Sequence, residues 1–390
     1  MSAHPKQAAS TVLHEGDGWR MRLATVADNA RLCELFRQVD MSADLRLAEE
    51  RDPDFFALHR AQTRDAYSVL LEDLTQPGRP AFGCASILAR PAWVFGEVQR
   101  VGYACDLRIE AGFRGGRVFP TVIDTFMRFM QEHEGIELMY SAVLSSNTRA
   151  RHALLNQGGK RLGQPSGQVM TPYNMTSIQF IGKRMPNDPR VQRAQESDRP
   201  ALVAFLAAQQ QQRLFGYVVD DAWLQCRLAQ WPGLSLSDFF LLKDGDGQIL
   251  ACAAPWDTET HLRRSRVMGY QGAMQWLRLA YNLEAGLRGF PSLPSTGQCF
   301  HFMYLTHLEV AQNDPATLNA LLRGIYNELR HLPLHFMSLM VPQGSPLEAG
   351  LTGFRIRRIP MELVAFTIPG SRWHGQSLQT LHPGFEMALH

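Results

Sequence analysis

The sequence predicts an α/β (α+β) protein of two tandem domains, each a mixed central sheet flanked by helices. Three observations predict it. The chain has 390 residues, and single domains usually hold one or two hundred. Strand-like and helix-like stretches alternate along it rather than segregate. One order of elements also occurs twice. Residues 191–198 echo 21–28 at an offset of 170 (198 − 28), and 304–310 echo 103–109 at an offset of 201 (307 − 106). The growing offset gives the second copy an insertion of about thirty residues.

The elements follow in order. Residues 1–18 are small, polar and aperiodic and read as a tail. A strand from Trp19 leads to Asp28, which can cap a helix carrying Leu32, Leu35 and Phe36 on one face. A helical stretch with Phe55, Phe56 and Leu58 follows. Strands are expected at 67–74, 82–88 and 98–109, with a Pro-Gly turn signal between the first two. A helix from Pro120, tolerated in a first turn, sets Val122, Ile123, Phe126 and Phe129 inward. A strand at 138–144, a short helix at 147–155 ending in Gly158 and Gly159, and a strand at 175–181 complete a first unit, 19–184. Residues 185–190 read as a linker. The second unit, 191–370, holds a hairpin at 239–254, a helix around 274–287 inside the insertion, a strand at 304–310, a helix at 315–329, and strands at 335–340 and 357–366. Residues 371–390 read as a C-terminal tail.

Composition narrows the function. Hydrophobic residues make up 45% and charged residues 19%, enough apolar material for two soluble cores. The 39 basic and 37 acidic side chains nearly cancel, so nothing draws the whole molecule to nucleic acid. The six cysteines include no Cys-x-x-Cys pair, and His301, His307, His331 and His335 lack ligand spacing, so no metal is expected. No apolar run of about 18 residues exists, so neither a span nor a membrane partner is expected. Free cysteines suit a reducing cytoplasm. The run 261–266 is basic and reads as a solvated loop. Oligomerisation is left open.

One segment carries chemistry. Strand 101–109 runs into Glu110-Ala111-Gly112-Phe113-Arg114-Gly115-Gly116-Arg117 and then a helix. The first amides of a helix lack intrahelical partners and sit at the positive end of its dipole, which suits phosphate. Glycines let the backbone approach closely, and Arg114 and Arg117 add full charge.

This segment resembles the acyl-CoA-binding motif of the GNAT N-acetyltransferase superfamily. Asp106-Leu107-Arg108-Ile109 is similar to the family's central strand and Phe113-Arg114-Gly115 to its turn entry. Ser145-Ser146-Asn147-Thr148-Arg149-Ala150 is similar to a second motif, in which Asn opens a short helix. The resemblance implies two tandem GNAT-like domains, the second degenerate. It implies acetyl-CoA, or another acyl-CoA, as cosubstrate and direct attack by the amine of a small molecule. Pantetheine would lie along Leu107, Arg108 and Ile109. Pyrophosphate would meet Arg114, Gly115, Gly116, Arg117, Val118 and Phe119, with Asn147 nearby. Where the family places a proton-donating Tyr, this chain has Leu154; where some members place a Glu base, it has Ala142. Asp106, Glu97 and Tyr140 are the substitute candidates for proton transfer, with Tyr103 a further conceivable acid. Two other readings remain open. One is an acyl-CoA-binding or assembly module without catalysis. The other is an aminoacyl transferase of the paired-GNAT type, which a near-neutral chain disfavours because tRNA calls for a basic face.

After the matching strand, the second copy has Ala311-Gln312-Asn313-Asp314-Pro315, with no glycine and no cation. Asp314 suits a helix start but repels phosphate. This unit is expected to wall the substrate cleft, not to bind the cofactor.

Overall fold

The computed structural model describes residues 11–38, 45–113, 118–155, 166–368 and 370–390. Its strands and helices follow in chain order. The first half contains β1 (Val12–Gly16), β2 (Trp19–Leu23), α1 (Asn29–Gln38), β3 (Leu45–Glu50), α2 (Ala57–Gln62), β4 (Asp65–Asp73), β5 (Ala81–Val94) and β6 (Glu97–Ile109). It continues with α3 (Val118–Glu134), β7 (Leu138–Leu144), α4 (Thr148–Leu155) and β8 (Ser166–Gln179). The second half contains β9 (Val191–Arg193), α5 (Arg199–Gln211), β10 (Gly216–Tyr217), α6 (Asp221–Gln230), β11 (Phe240–Lys243), β12 (Ile249–Trp256) and α7 (Thr258–His261). It ends with β13 (Arg264–Tyr270), α8 (Ala273–Arg288), β14 (Phe302–Val310), α9 (Pro315–Leu329), β15 (Phe336–Pro342) and β16 (Ile356–Thr367).

The repeat is visible in local detail. Before α1 the Asp28 carboxylate accepts from the Thr25 amide at 2.9 Å. Before α5 the Asp198 carboxylate accepts from the Gln195 amide at 3.0 Å. Both close the chain into the same reciprocal cap, satisfying orphan amides at a helix entry. α1 buries Leu32, Leu35 and Phe36 on one stripe, as their spacing dictates. α3 buries Val122, Phe126, Met127, Phe129 and Met130, and α9 buries Leu318, Leu321, Leu322 and Ile325.

Among the described residues, fourteen strands form one mixed sheet, in the order β1-β2-β4-β5-β6-β7-β16-β8-β15-β14-β12-β11-β9, with β10 on β5. The halves exchange their last strands. β16 lies between β7 and β8, while β8 lies between β16 and β15. The register is symmetric: Met361 pairs with Leu144 and Tyr173, and Tyr173 pairs with Met361 and Pro342. A pseudo-twofold axis therefore passes between β8 and β16. The largest core cluster spans both halves and includes Tyr103, Tyr140, Tyr173, Phe215, Trp231, Trp256 and Met361.

Two stretches read as tails have structure. Val12–Gly16 pairs with β2 because every second residue can meet the sheet edge. Residues 371–390 thread between the halves, where Leu378, Met387, Ala388 and Leu389 are buried. Arg90 ties this strap to the second half, donating to Gly384 O of the strap at 3.1 Å and to Phe215 O, beside β10, at 2.7 Å. The basic run 261–266 is no loop: Arg263 is buried and 264–266 open β13, which pairs with β3 in a second, two-stranded sheet. No described helix is long and apolar enough to cross a membrane.

Candidate active site

β6 and β7 run parallel but pair only at Gly102↔Met139 and Tyr103↔Tyr140. Beyond that fork β6 stays on β5 and β7 stays on β16, so the sheet opens into a wedge. On the β6 side the pairing with β5 skips from Ser86↔Cys105 to Cys84↔Arg108, a bulge with one extra residue. Asp106 takes the strain, with φ of 59°, a conformation that Asp adopts more readily than most residues. The Cys84 thiol meets Asp106 O at 3.3 Å.

The bulge turns the Asp106 carboxylate away from the wedge. That side chain is only 3% exposed, while the residue as a whole is half-buried. What solvent reaches at this point is therefore main chain. Leu107 and Arg108 are also half-buried and Ile109 is buried.

Behind the bulge lies a buried ion cluster built from β3, α2 and β6. Asp106 Oδ1 accepts from Arg51 at 2.7 Å, and Oδ2 lies 2.5 Å from His59 Nε2. Arg51 also donates to Glu49 at 2.6 Å and stands over the rings of Phe36 and Phe55. Burial alone would raise the Asp106 pKa, but Arg51 and His59 together hold it well below the usual carboxylate range. Glu49 is lowered as well: Arg51, Arg263 and Arg108 outweigh the burial that opposes them. His59, Cys105 and Asp106 are close enough to share a metal ion. Yet the first and last already hydrogen-bond each other, and Arg51 would repel a cation, so the donor set fits an ion pair.

At the fork, the Tyr103 hydroxyl meets His390 Nδ1 at 2.7 Å. Burial holds Tyr103 protonated, far above its ordinary pKa, and pushes His390 down to about 4. A main-chain oxygen of His390 accepts from Arg263. None of Glu49, Arg51, His59, Arg263 or His390 stands in a recognisable motif. Their sequence signals are the charged run at 49–54 beside Phe55 and Phe56, which holds Glu49 and Arg51, and the basic run 261–266, which holds Arg263; both gain meaning only when they meet the bulge.

The residues singled out from sequence divide. Asp106, Leu107, Arg108 and Ile109 line one arm of the wedge, and Tyr140 sits at its fork. Burial pushes the Tyr140 hydroxyl up to about 12, and it accepts from Arg90 at 2.8 Å. Arg108 reaches away from the wedge, over the Phe36 ring. Glu97 lies at the other end of β6, about 30 Å from Asp106 at strand rise, exposed and paired with Arg372 at 3.2 Å. Val118 and Phe119 open α3 and pack partly against the first-half core. Asn147 caps α4, accepting from the Ala150 amide at 3.0 Å. Arg114, Gly115, Gly116 and Arg117 lie outside the described residues.

The second half repeats the wedge. β14 and β15 pair only from Phe302↔Phe336 to Tyr304↔Ser338. The β12–β14 register skips between Ala254↔Thr306 and Cys252↔Glu309, and His307 has φ of 52°. Here the C-terminal strap enters the wedge and leaves a cavity of about 80 Å³ beside it, lined by Arg213, Trp223, His307, Glu309, Met340 and Glu386. Thr306 and His307 are buried, and the Glu386 carboxylate of the strap accepts from the His307 amide at 3.0 Å.

A mixed sheet bulged and forked in this way, twice, with exchanged final strands, decides the architecture. This is a tandem GNAT fold. Solved structures of Saccharomyces cerevisiae N-myristoyltransferase share it. One with bound myristoyl-CoA superposes with a TM-score of 0.60 at 10% identity, covering 95% of this chain and 88% of that one. Another, also with bound myristoyl-CoA, gives 0.59 at 10% identity over 94% and 83%. No family model matches the sequence, and no curated protein does.

Proposed function

We propose that the protein is an acyl-CoA-dependent N-acyltransferase whose thioester lies in the first wedge, along 106–109. The group transferred would be acetyl and the acceptor the amine of a small molecule. Unit 19–184 would hold the acyl-CoA and unit 191–370 would wall the acceptor cleft. The observation that supports this best is the open main chain at the Asp106 bulge. An amide exposed there can donate to a thioester oxygen as negative charge develops on it. The pyrophosphate would reach the start of α3, with Arg114 and Arg117 supplied by the four residues before it in the sequence.

The amine nitrogen forms a bond to the acyl carbon, the C–S bond breaks, the nitrogen loses a proton and the thiolate gains one. Asp106 is a poor acceptor for that proton, because its low pKa makes it a weak base. In this proposal it is a positioning residue: it holds the bulge against Arg51 and His59. The same ion-paired carboxylate favours one alternative, a module that binds acyl-CoA without turning it over.

Calorimetric titration with acetyl-CoA tests the reading. Saturable micromolar binding is expected, weakened in Arg114→Ala by the roughly 1.5–3 kcal/mol of a charged hydrogen bond. Parallel titration with myristoyl-CoA sets the preferred chain length. No binding of either thioester overturns the proposal, and binding without release of free thiol in the presence of amines selects the non-catalytic alternative.

A further inference from the structure

The cavity of the second wedge is not used by the proposed chemistry. It measures about 80 Å³ and is lined from α5, α6, β14, β15 and the C-terminal strap. A water needs roughly 10–15 Å³ of such space, so the cavity has room for about five to eight non-hydrogen atoms.

Its carboxylate oxygens are all engaged. Glu309 Oε1 accepts from Gln210 Nε2 at 2.6 Å, and Oε2 accepts from Arg213 Nη2. Glu386 Oε1 accepts from the Ala388 amide at 3.1 Å, and Oε2 from Thr306 Oγ1 and the His307 amide. Its donors are less well matched. Arg213 Nε is buried with no hydrogen-bond partner. Arg227 is only 5% exposed. It donates to Ala61 O at 3.2 Å, and Glu386 acts on it only from a distance. The rings of Tyr217, Trp223 and Trp231 have their centroids within 5.0 Å of its guanidinium. In that apolar surround a direct counter-charge is worth far more than in water. Unmatched donors beside a buried cation call for a ligand that brings acceptors and negative charge. Leu206, Leu305 and Met340 add apolar wall for a short hydrocarbon chain.

We propose that this cavity binds a small monocarboxylate of about three to six carbons, its carboxylate toward Arg213 and Arg227. The segment from Ala311 to Pro315 has no cation for pyrophosphate, so the free acid fits and its CoA thioester does not. Phe385 lines the cavity and also packs against Tyr103 and Tyr140 at the first fork. An aromatic ring therefore stands between this site and the thioester, and the ligand is a second one, not the acceptor.

Calorimetric titration of the full chain with sodium butyrate tests this. Saturable millimolar binding is expected. Butanol, which keeps the chain and lacks the charge, should bind roughly tenfold more weakly or worse, and Arg227→Gln should weaken butyrate by a similar factor. Because Arg227 also packs on two tryptophans, a second variant fills the space from the other side. Met340→Trp should abolish butyrate binding and leave acetyl-CoA titration unchanged. Saturating acetyl-CoA should not displace butyrate, so this site and the acyl-CoA wedge can fail separately. The inference is overturned if the wild-type chain takes up no butyrate, or if butanol binds equally well. It is also overturned if either folded variant keeps full affinity, or if acetyl-CoA displaces the acid.

Discussion

The two wedges are the same backbone put to different uses. Each has a one-residue bulge facing a cysteine, and the thiols of Cys84 and Cys252 each lie 3.3 Å from the bulged carbonyl. Each bulged residue, Asp106 or His307, has a positive φ. In the first wedge the side chain is locked inward by Arg51 and His59 and the main chain is open. In the second, Trp223, Trp231 and Phe239 surround the His307 ring within 5.5 Å, and Glu386 occupies its amide. The sequence before the following helix also differs, with Arg117 ahead of α3 and Asp314 ahead of α9. The Asp314 carboxylate accepts from the Thr317 amide at 2.8 Å, filling a site where phosphate would bind. A strained bulge therefore does not mark a cofactor site by itself, since it also serves the sheet's curvature. What differs is whether the bulged amide is already taken: Glu386 accepts from it in the second wedge, although a cavity lies beside it.

The strongest way to break the comparison is to remove the anchor of the first bulge. Asp106→Ala leaves Arg51 buried without its main counter-charge. Breaking a buried pair from one side costs about 3–5 kcal/mol, and urea unfolding should show a loss of that size. A loss below about 1 kcal/mol would mean that water reaches the cluster, and the inward lock would no longer explain the open main chain.

Where the sequence was informative, the information was local. The helix at 315–329 is read to the residue, because Asp314, Pro315 and the leucine spacing are neighbours in the chain. Strand 98–109 and its place before a helix are equally legible. The ion cluster is not, since Glu49 and Arg51 meet Asp106 only across more than fifty residues. Nor is the exchange of β8 and β16: each would serve as a last strand in either half, and no local pattern says which. Residues 371–390 lack periodicity, so their burial comes from the shape of the gap between the halves. Asn147 shows the limit of motif reading, because capping and ligand contact ask for the same residue type.

The strap that joins the wedges predicts a pH effect. Burial lowers His390 to about 4 from an ordinary value near 6.5. Between those values the unfolded chain binds more protons than the folded one. The contribution of His390 is therefore intact above pH 6.5 and falls away toward pH 4, by up to about 3 kcal/mol. Glu259, pushed up to about 7 by burial, acts oppositely, losing stability as pH rises from about 4.5 toward 7. The difference between wild type and His390→Gln, measured by urea unfolding from pH 7 to pH 4, isolates the histidine. The variant should lose less on acidification, and identical profiles would show that His390 is solvated.

Glu386 tests whether the second wedge is closed by its occupant alone. Its carboxylate accepts from Thr306 Oγ1 at 2.7 Å and from the amides of His307 and Ala388. Glu386→Ala should cost about 1–3 kcal/mol for the buried donors left unpaired. Acyl-CoA stoichiometry should stay at one per chain. A second equivalent bound by the variant would mean that the second half has kept the cofactor geometry and merely covers it.

The smallest effect expected is at the start of α9. Asp314→Ala removes a cap, which typically costs about 1 kcal/mol, and a thermal melt should register a small downward shift. It also removes the negative charge that repels phosphate at those amides. If charge alone separated the two helix starts, the variant would gain measurable affinity for CoA at the second wedge. It should not, because the segment from Ala311 to Pro315 supplies neither a glycine for close approach nor an arginine. CoA binding in this single variant would reduce the contrast between the halves to one carboxylate. Its absence would assign the contrast to the whole loop.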